Sequence, residues 1–246
     1  MGIQEQYFFG KCLVREFDYF AFPRVGSHFF YYCLTGLFDL IGLPHEHLNN
    51  IEAISRQEEL NPLALYALKL REDGIPYQPV FFNALSNGVH GHVKPRGIKF
   101  IVLIREPKAV AYSLYRVSVA RWGQQIGDLR AWLTETLNSY VSFYRHAFQQ
   151  LGECPETSIL IRFEDLCRDS QILHGLVRFL DLKPKLSPDL VHFLTSFELF
   201  TRESVNRTFY RIGNNNAWRD DAAWDFARDV YRAFDFRDFG YDAEER

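Results

Sequence analysis

Four segments carry residue types that could do chemistry. The first is Phe22-Pro-Arg-Val-Gly-Ser-His-Phe29, which sets a cation, a glycine and a hydroxyl between an apolar run and a helical pattern. A strand that ends in a glycine-containing turn and feeds a helix aims backbone N–H groups and a helix dipole at an anion, most often a phosphate. Arg24 adds a full positive charge there and Ser27 a hydroxyl. Neither G-x-x-x-x-G-K-[ST] nor G-x-G-x-x-G occurs in the chain, so the two familiar nucleotide loops are absent. Read without a ligand, the segment is a strand–turn–helix corner capped by Ser27.

The second segment is Ile104-Arg-Glu-Pro-Lys-Ala-Val-Ala-Tyr-Ser-Leu-Tyr115. Arg105 follows an apolar strand directly, and open α/β sheets bind ligands at the carboxyl ends of their strands. Ser113 lies about two helical turns further on, so Arg105 and Ser113 would grip one phosphate from two directions. The alternative is Arg105 paired with Glu106 or Asp165, and a serine bonded to its own helix. The third segment joins Thr195-Ser-Phe197 to Tyr210-Arg-Ile-Gly-Asn-Asn-Asn-Ala-Trp-Arg219. Arg211 and Gly213 would suit a phosphate clamp, and Phe197 and Trp218 are rings on which a base would stack. The fourth is Val89-His-Gly-His-Val93, with His45-Glu-His47 as a second such pair. Histidine transfers protons near neutral pH; two such pairs would also ligate a metal if further ligands converged on them.

These residues need a scaffold that brings them together. Short apolar runs alternate with amphipathic stretches, which predicts an α/β chain with a central parallel sheet flanked by helices. Strands are expected at Tyr19–Pro23, Lys99–Ile104 and Ser158–Phe163. Helices are expected at Ser27–Ile41, Leu48–Glu72 with a break at Pro62, Lys108–Trp122, Leu129–Leu151, Ser170–Leu182, Ser187–Phe197 and Asp221–Phe234. Thr201–Trp218 reads as a long polar loop. No linker or repeat interrupts the pattern, so residues 1–246 read as one domain.

Composition narrows the function classes. The 246 residues are 47% hydrophobic and 24% charged, which excludes a disordered chain. A net charge of -3 argues against binding nucleic acid through overall charge. The longest apolar stretch, Phe29–Leu43, contains Asp39 and is too short to span a bilayer. Met1–Gly10 has no secretory pattern. Cysteines 12, 33, 154 and 167 form no C-x-x-C pair, so free thiols in a reducing cytoplasm are expected.

Taken together, the segments resemble the sulfotransferases that use PAPS, 3′-phosphoadenosine 5′-phosphosulfate. The resemblance runs from residue 19 to residue 219, in the family's order. Phe22–Phe29 is similar to the 5′-phosphosulfate loop Y-P-K-S-G-T-x-W, with Arg24 in place of lysine and Phe29 in place of the tryptophan that stacks on adenine. Arg105 to Ser113 is similar to R-x-P-x-D-x-x-x-S, which implies that Arg105 and Ser113 hold the 3′-phosphate. Phe163-Glu-Asp-Leu166 resembles Y-E-D-L, and Thr195-Ser-Phe197 matches the T-S-F adenine contact. Arg211-Ile-Gly213 with Trp218-Arg219 resembles the closing loop R-K-G…W-K, with Ile212 where a second lysine would stand.

The resemblance implies a P-loop-like sulfotransferase fold with PAPS as co-substrate, a small-molecule acceptor and no metal, nucleic acid or membrane partner; it leaves room for a homodimer. Val25, Gly26, Ser27 and His28 would line the phosphosulfate, and Arg24 with the N–H groups of Gly26–His28 would stabilise the leaving phosphate. The family's T-H-x-P histidine is not found in that form. Asn83 lies near its spacing, but asparagine cannot accept a proton. His90-Gly-His92 resembles the H-G-H of glycosaminoglycan 2-O-sulfotransferases, which places the base at His92 with His90 assisting. The acceptor pocket is expected between Pro44 and Leu85 and around Tyr31 and Tyr32. Other readings are a catalytically inactive PAP-binding module, a kinase-like enzyme, and a metal-dependent hydrolase built on the histidine pairs.

Overall fold

The computed structural model describes residues 15–27, 29–30, 33–34, 45–48, 80–85, 99–120, 122–169, 171–180, 218–219 and 221–241. Among the described residues, five parallel strands form the sheet: β1 (Arg15–Ala21), β2 (His45–Leu48), β3 (Val80–Leu85), β4 (Lys99–Ile104) and β5 (Ser158–Arg162), in the order β2-β3-β1-β4-β5. β1 is central. Its register sets Tyr19 beside Ala84 of β3 and Ile101 of β4. The chain leaves β1 toward β3 and β2, then returns across β1 to β4 and β5. The direction therefore switches at the β1/β4 edge, where such sheets open a crevice at the strands' carboxyl ends.

β4 is buried along nearly its whole length, which is why Phe-Ile-Val-Leu-Ile stands there without polar alternation. Helices described over their whole length are α1 (Pro107–Ala120), α2 (Leu129–Glu153), α3 (Phe163–Arg168), α4 (Gln171–Phe179) and α5 (Ala227–Arg232). Asp128 opens α2 by accepting from the backbone N–H groups of Arg130 at 2.9 Å and Ala131 at 3.0 Å. The apolar stripe of α2 then lays Tyr140, Phe143 and Tyr144 into the core. Phe143 meets Phe20 and Phe22 edge-on, with centroids 6.2 and 5.7 Å apart.

The expected elements stand with shifted ends. β1 starts four residues earlier than expected and stops before Pro23, which lies in the turn. α1, α2 and β5 match their expected segments within about two residues. Three features correct the sequence reading. His45–Leu48 is an edge strand that had not been expected, and Leu48, expected to open a helix, ends it. Val80–Leu85 is a strand that had not been expected. The expected final helix divides into a 3₁₀ turn, Ala222–Trp224, and the short α5. The expected helix at 187–197 and most of those at 27–41 and 48–72 lie outside the described residues, as does the loop before Trp218. Among the described residues, no helix is long and apolar enough to cross a membrane.

Candidate nucleotide and anion site

Two loops meet at the switch point. Beyond β1, Val25 N–H closes the turn by donating to the Phe22 carbonyl at 3.3 Å, and Phe30 N–H donates to the Gly26 carbonyl at 2.9 Å, the first helical bond. Ser27, Phe29, Phe30, Cys33 and Leu34 continue as helix. Its leading N–H groups have no partner within the helix. Arg24 and Gly26 both take positive φ, 72° and 96°. A Cβ on Gly26 would strike the Phe163 ring, so glycine is required twice over, by conformation and by close approach. Val25 is fully buried and anchors the turn from below.

Beyond β4, Arg105 is buried at 5% exposure, yet it is a full cation. Three neighbours hold it. Its Nη1 donates to the Arg24 carbonyl at 3.3 Å. Its guanidinium lies 4.5 Å from the Phe163 ring centroid. Its own carbonyl accepts the Tyr140 hydroxyl at 2.7 Å. Burial weighs against its charge, and the carboxylates of Glu164 and, less strongly, Glu106 support it. Arg24 Nε in turn donates to Ser113 Oγ at 3.1 Å. Arg24, Arg105 and Ser113 thus form one connected group spanning both loops and α1.

Glu106 caps α1 by accepting from Ala109 N–H at 2.6 Å. Burial pushes its carboxyl up to about 7, against the N–H of Ala109 and the charge of Lys108. Lys108 is itself buried at 5% exposure, with its ammonium 5.7 Å from the Trp218 ring and 5.9 Å from that of Tyr231. The arrangement sets the guanidinium groups of Arg24 and Arg105 beside the start of the helix after β1, a combination that suits an anion bearing several oxygens.

The structure thus brings together Arg24, Val25, Gly26, Ser27, Arg105, Ser113 and Phe163. Arg105 leans on Phe163, and the carboxylate that most supports its charge is Glu164, where the alternative sequence reading offered Glu106 or Asp165. Phe29 is turned into the core, edge-on to Phe163 at 6.0 Å between centroids. His28, His90, His92, Thr195, Phe197, Arg211, Ile212 and Gly213 lie outside the described residues. Asn83 falls on β3 and His45 and His47 on β2. Among the described residues, no group of three or more His, Cys, Asp or Glu side chains gathers as a metal site. Sequence reasoning missed Tyr140, Glu164 as a partner of Arg105, and Tyr241. A tyrosine on the apolar stripe of α2 was a signal for the first, since a buried phenol seeks a hydrogen-bond partner.

No family model matches the sequence, and no curated protein is similar to it in sequence. Solved structures are similar in fold. Mouse sulfotransferase SULT7A1 complexed with PAP superposes with a TM-score of 0.56 at 12% identity, over 90% of this chain and 84% of that one. The chain has the sulfotransferase fold. Retinol dehydratase, in complex with androsterone and the inactive cofactor PAP, gives 0.53 at 15% identity over 87% of this chain and 78% of that one. The same enzyme with retinol and PAP gives 0.50 at 15% identity, over 85% and 76%. The sulfotransferase fold is thus shared over most of each chain at only 12–15% identity.

Proposed function

We propose that the chain, acting as one domain over residues 1–246, is a sulfotransferase that moves a sulfuryl group from PAPS to a hydroxyl or amine of a small-molecule acceptor. The observation that carries this reading is the connected group of Arg24, Arg105 and Ser113 at the carboxyl ends of β1 and β4, in a fold shared with chains crystallised with PAP. Arg105 and Ser113, with Arg211, hold the 3′-phosphate. The N–H groups of Gly26, Ser27 and His28 hold the 5′-phosphosulfate. Thr195 and Phe197 meet the adenine. His92, assisted by His90, accepts the acceptor's proton as the acceptor atom bonds to sulfur. The bond from sulfur to the bridging oxygen breaks, and PAP leaves with the electron pair. Arg24 and the loop N–H groups stabilise the charge that grows on that oxygen. Androsterone and retinol in the fold's relatives support an acceptor with an apolar body. A cytoplasmic setting, in which cysteines stay reduced, belongs to this reading.

The test combines calorimetry with mass spectrometry. PAP should bind the wild type, and Arg105→Ala should weaken it by about ten- to a hundredfold, the loss of a charged hydrogen bond. Metabolites incubated with enzyme and PAPS should gain about 80 Da, the mass of SO₃ in the sulfuryl transfer described above. His92→Ala should lose about 10²–10⁴ in turnover while keeping PAP affinity; Asn83→Ala is its control. Unchanged PAP affinity in Arg105→Ala rejects the site. PAP binding without any acceptor product would leave an inactive nucleotide-binding module.

A further inference from the structure

Tyr140 and Tyr144 stand one turn apart on the buried stripe of α2, with ring centroids 4.5 Å apart and exposures of 1% and 0%. A phenol at that depth needs a partner for its hydroxyl, and here the partners are the ends of the two central strands. Tyr144 donates to the Leu103 carbonyl at 2.6 Å. The backbone N–H of Phe22 hydrogen-bonds to the same hydroxyl. Leu103 pairs with Ala21 in the last step of the β1/β4 register, and Phe22 is the first residue beyond it. One oxygen atom therefore joins the two strands where their direct pairing stops. Tyr140 spans the same gap by other means. Its ring meets Phe22 edge-on, with centroids 5.4 Å apart, and its hydroxyl donates to the Arg105 carbonyl at 2.7 Å. The Arg105 turn has a further support: Glu164 accepts the Glu106 backbone N–H at 2.9 Å and the Tyr241 hydroxyl at 3.0 Å.

Each tyrosine thus touches both loops of the crevice, the one that opens at Phe22 and the one that opens at Arg105. Beyond the last strand pair, two buried side chains of one helix set the distance between those loops. A ligand with two anionic groups gains most from a fixed spacing, because a site ordered beforehand spares it the cost of ordering both loops. We propose that Tyr140 and Tyr144 are positioning residues for the nucleotide: together they fix the spacing of the two loops, so that the 5′- and 3′-phosphates of one ligand are met at once. The proposal rests on the reading given above, in which the loop after β1 takes the 5′-phosphosulfate and Arg105 the 3′-phosphate.

Calorimetry with PAP, adenosine 5′-phosphate and adenosine 3′-phosphate separates spacing from general loosening. Either monophosphate engages one loop, whereas PAP needs both at a set distance. Tyr144→Phe keeps the ring and removes the shared hydroxyl. It should weaken PAP by about three- to tenfold, the scale of one hydrogen bond, and leave both monophosphates unchanged. Tyr140→Phe keeps the contact with Phe22 and releases only the Arg105 carbonyl. It should show the same selective loss, and it decides the matter if Tyr144→Phe does not fold. A loss shared equally by all three nucleotides overturns the proposal, as does wild-type PAP affinity in both variants. Wild type that binds no PAP rejects the nucleotide reading and this proposal with it. Wild type that binds PAP and loses affinity on Arg105→Ala, with both tyrosine variants indistinguishable from it, rejects this proposal alone.

Discussion

Arg24 holds a left-handed backbone, φ 72°, that costs a residue with a Cβ about 1–2 kcal/mol. Its neighbours impose that conformation: Arg105 donates to its carbonyl and Ser113 accepts from its Nε. On the proposed reading, the strain sits where the loop would present a cation to the leaving phosphate. Charge on a leaving phosphate grows only as its bond breaks, so an aligned cation acts mainly on the transition state. Arg24→Ala should lower kcat by about 10²–10³ and weaken PAP much less; wild-type kcat in that variant would make Arg24 a structural residue. Arg24→Lys should rescue only in part, because a lysine offers one point charge and cannot meet Ser113 through Nε while presenting a fork. Glu106 gives a stability prediction. Its folded-state carboxyl titrates at about 7, above the ordinary 4.5, because burial disfavours its charge. Between those two values the folded chain keeps a proton that the unfolded chain has lost, so this group's contribution falls as pH rises. The slope is at most about 1.4 kcal/mol per pH unit. Urea titrations from pH 4.5 to 7 should show wild type losing stability relative to Glu106→Gln as pH rises; parallel curves would mean that Glu106 ionises normally.

At the level of elements, legibility followed burial. β4 could be read from end to end because a strand buried on both faces has no polar residues to blur it. Val80–Leu85 carries a similar run, Val-Phe-Phe-Asn-Ala-Leu, but the polar Asn83 interrupts it, which blurs the strand pattern. His45–Leu48 gave no apolar signal at all; its strand state comes from pairing with β3, a tertiary effect outside local propensity. In the site, Arg24, Arg105 and Ser113 were legible because a strand end and a helix pitch fix their spacing. Glu164 with Tyr241 was not, since 77 residues separate them and no periodicity spans that gap. The turn from β1 into its helix was legible as a glycine corner, but not the reason for the glycine. Phe163, at the start of α3, fills the space where a Cβ would go. Gly26→Ala should therefore strain both backbone and packing and destabilise the fold by about 1–3 kcal/mol. Because the loop must shift to relieve the clash, PAP affinity should fall with it. Melting and calorimetry of the same preparation check both; a variant with native affinity would show that the loop tolerates the displacement.

Across the whole molecule, the C-terminal segment ties the site's two supports together. Trp224 is fully buried and stacks against α1 through Tyr112 and Tyr115, with centroids 5.4 and 4.7 Å away. Its indole Nε1 donates to the Tyr231 hydroxyl at 2.9 Å, and that hydroxyl donates to the Lys108 carbonyl at 3.3 Å. Asp221 accepts the Tyr112 hydroxyl at 2.8 Å from the same side. Phe236 and Phe239 carry the segment on to Tyr140 of α2. The helix that bears Ser113 and the helix that fixes Arg105 are thus both clamped by residues 221–241. A segment held this way should unfold with the sheet and not before it. Trp224→Ala removes the largest ring from that clamp and leaves the Tyr231 hydroxyl short of a donor. The expected cost is about 3–5 kcal/mol, a large share of the roughly 5–15 kcal/mol that holds a folded domain. Far-ultraviolet circular dichroism should show the entire transition moving down by on the order of 10 °C for a chain this size. Near-ultraviolet signals from the remaining aromatics should move with the same midpoint. An unshifted main transition, preceded by a small early one, would show instead that the segment is an appendage that melts alone and that the anion site stands without it.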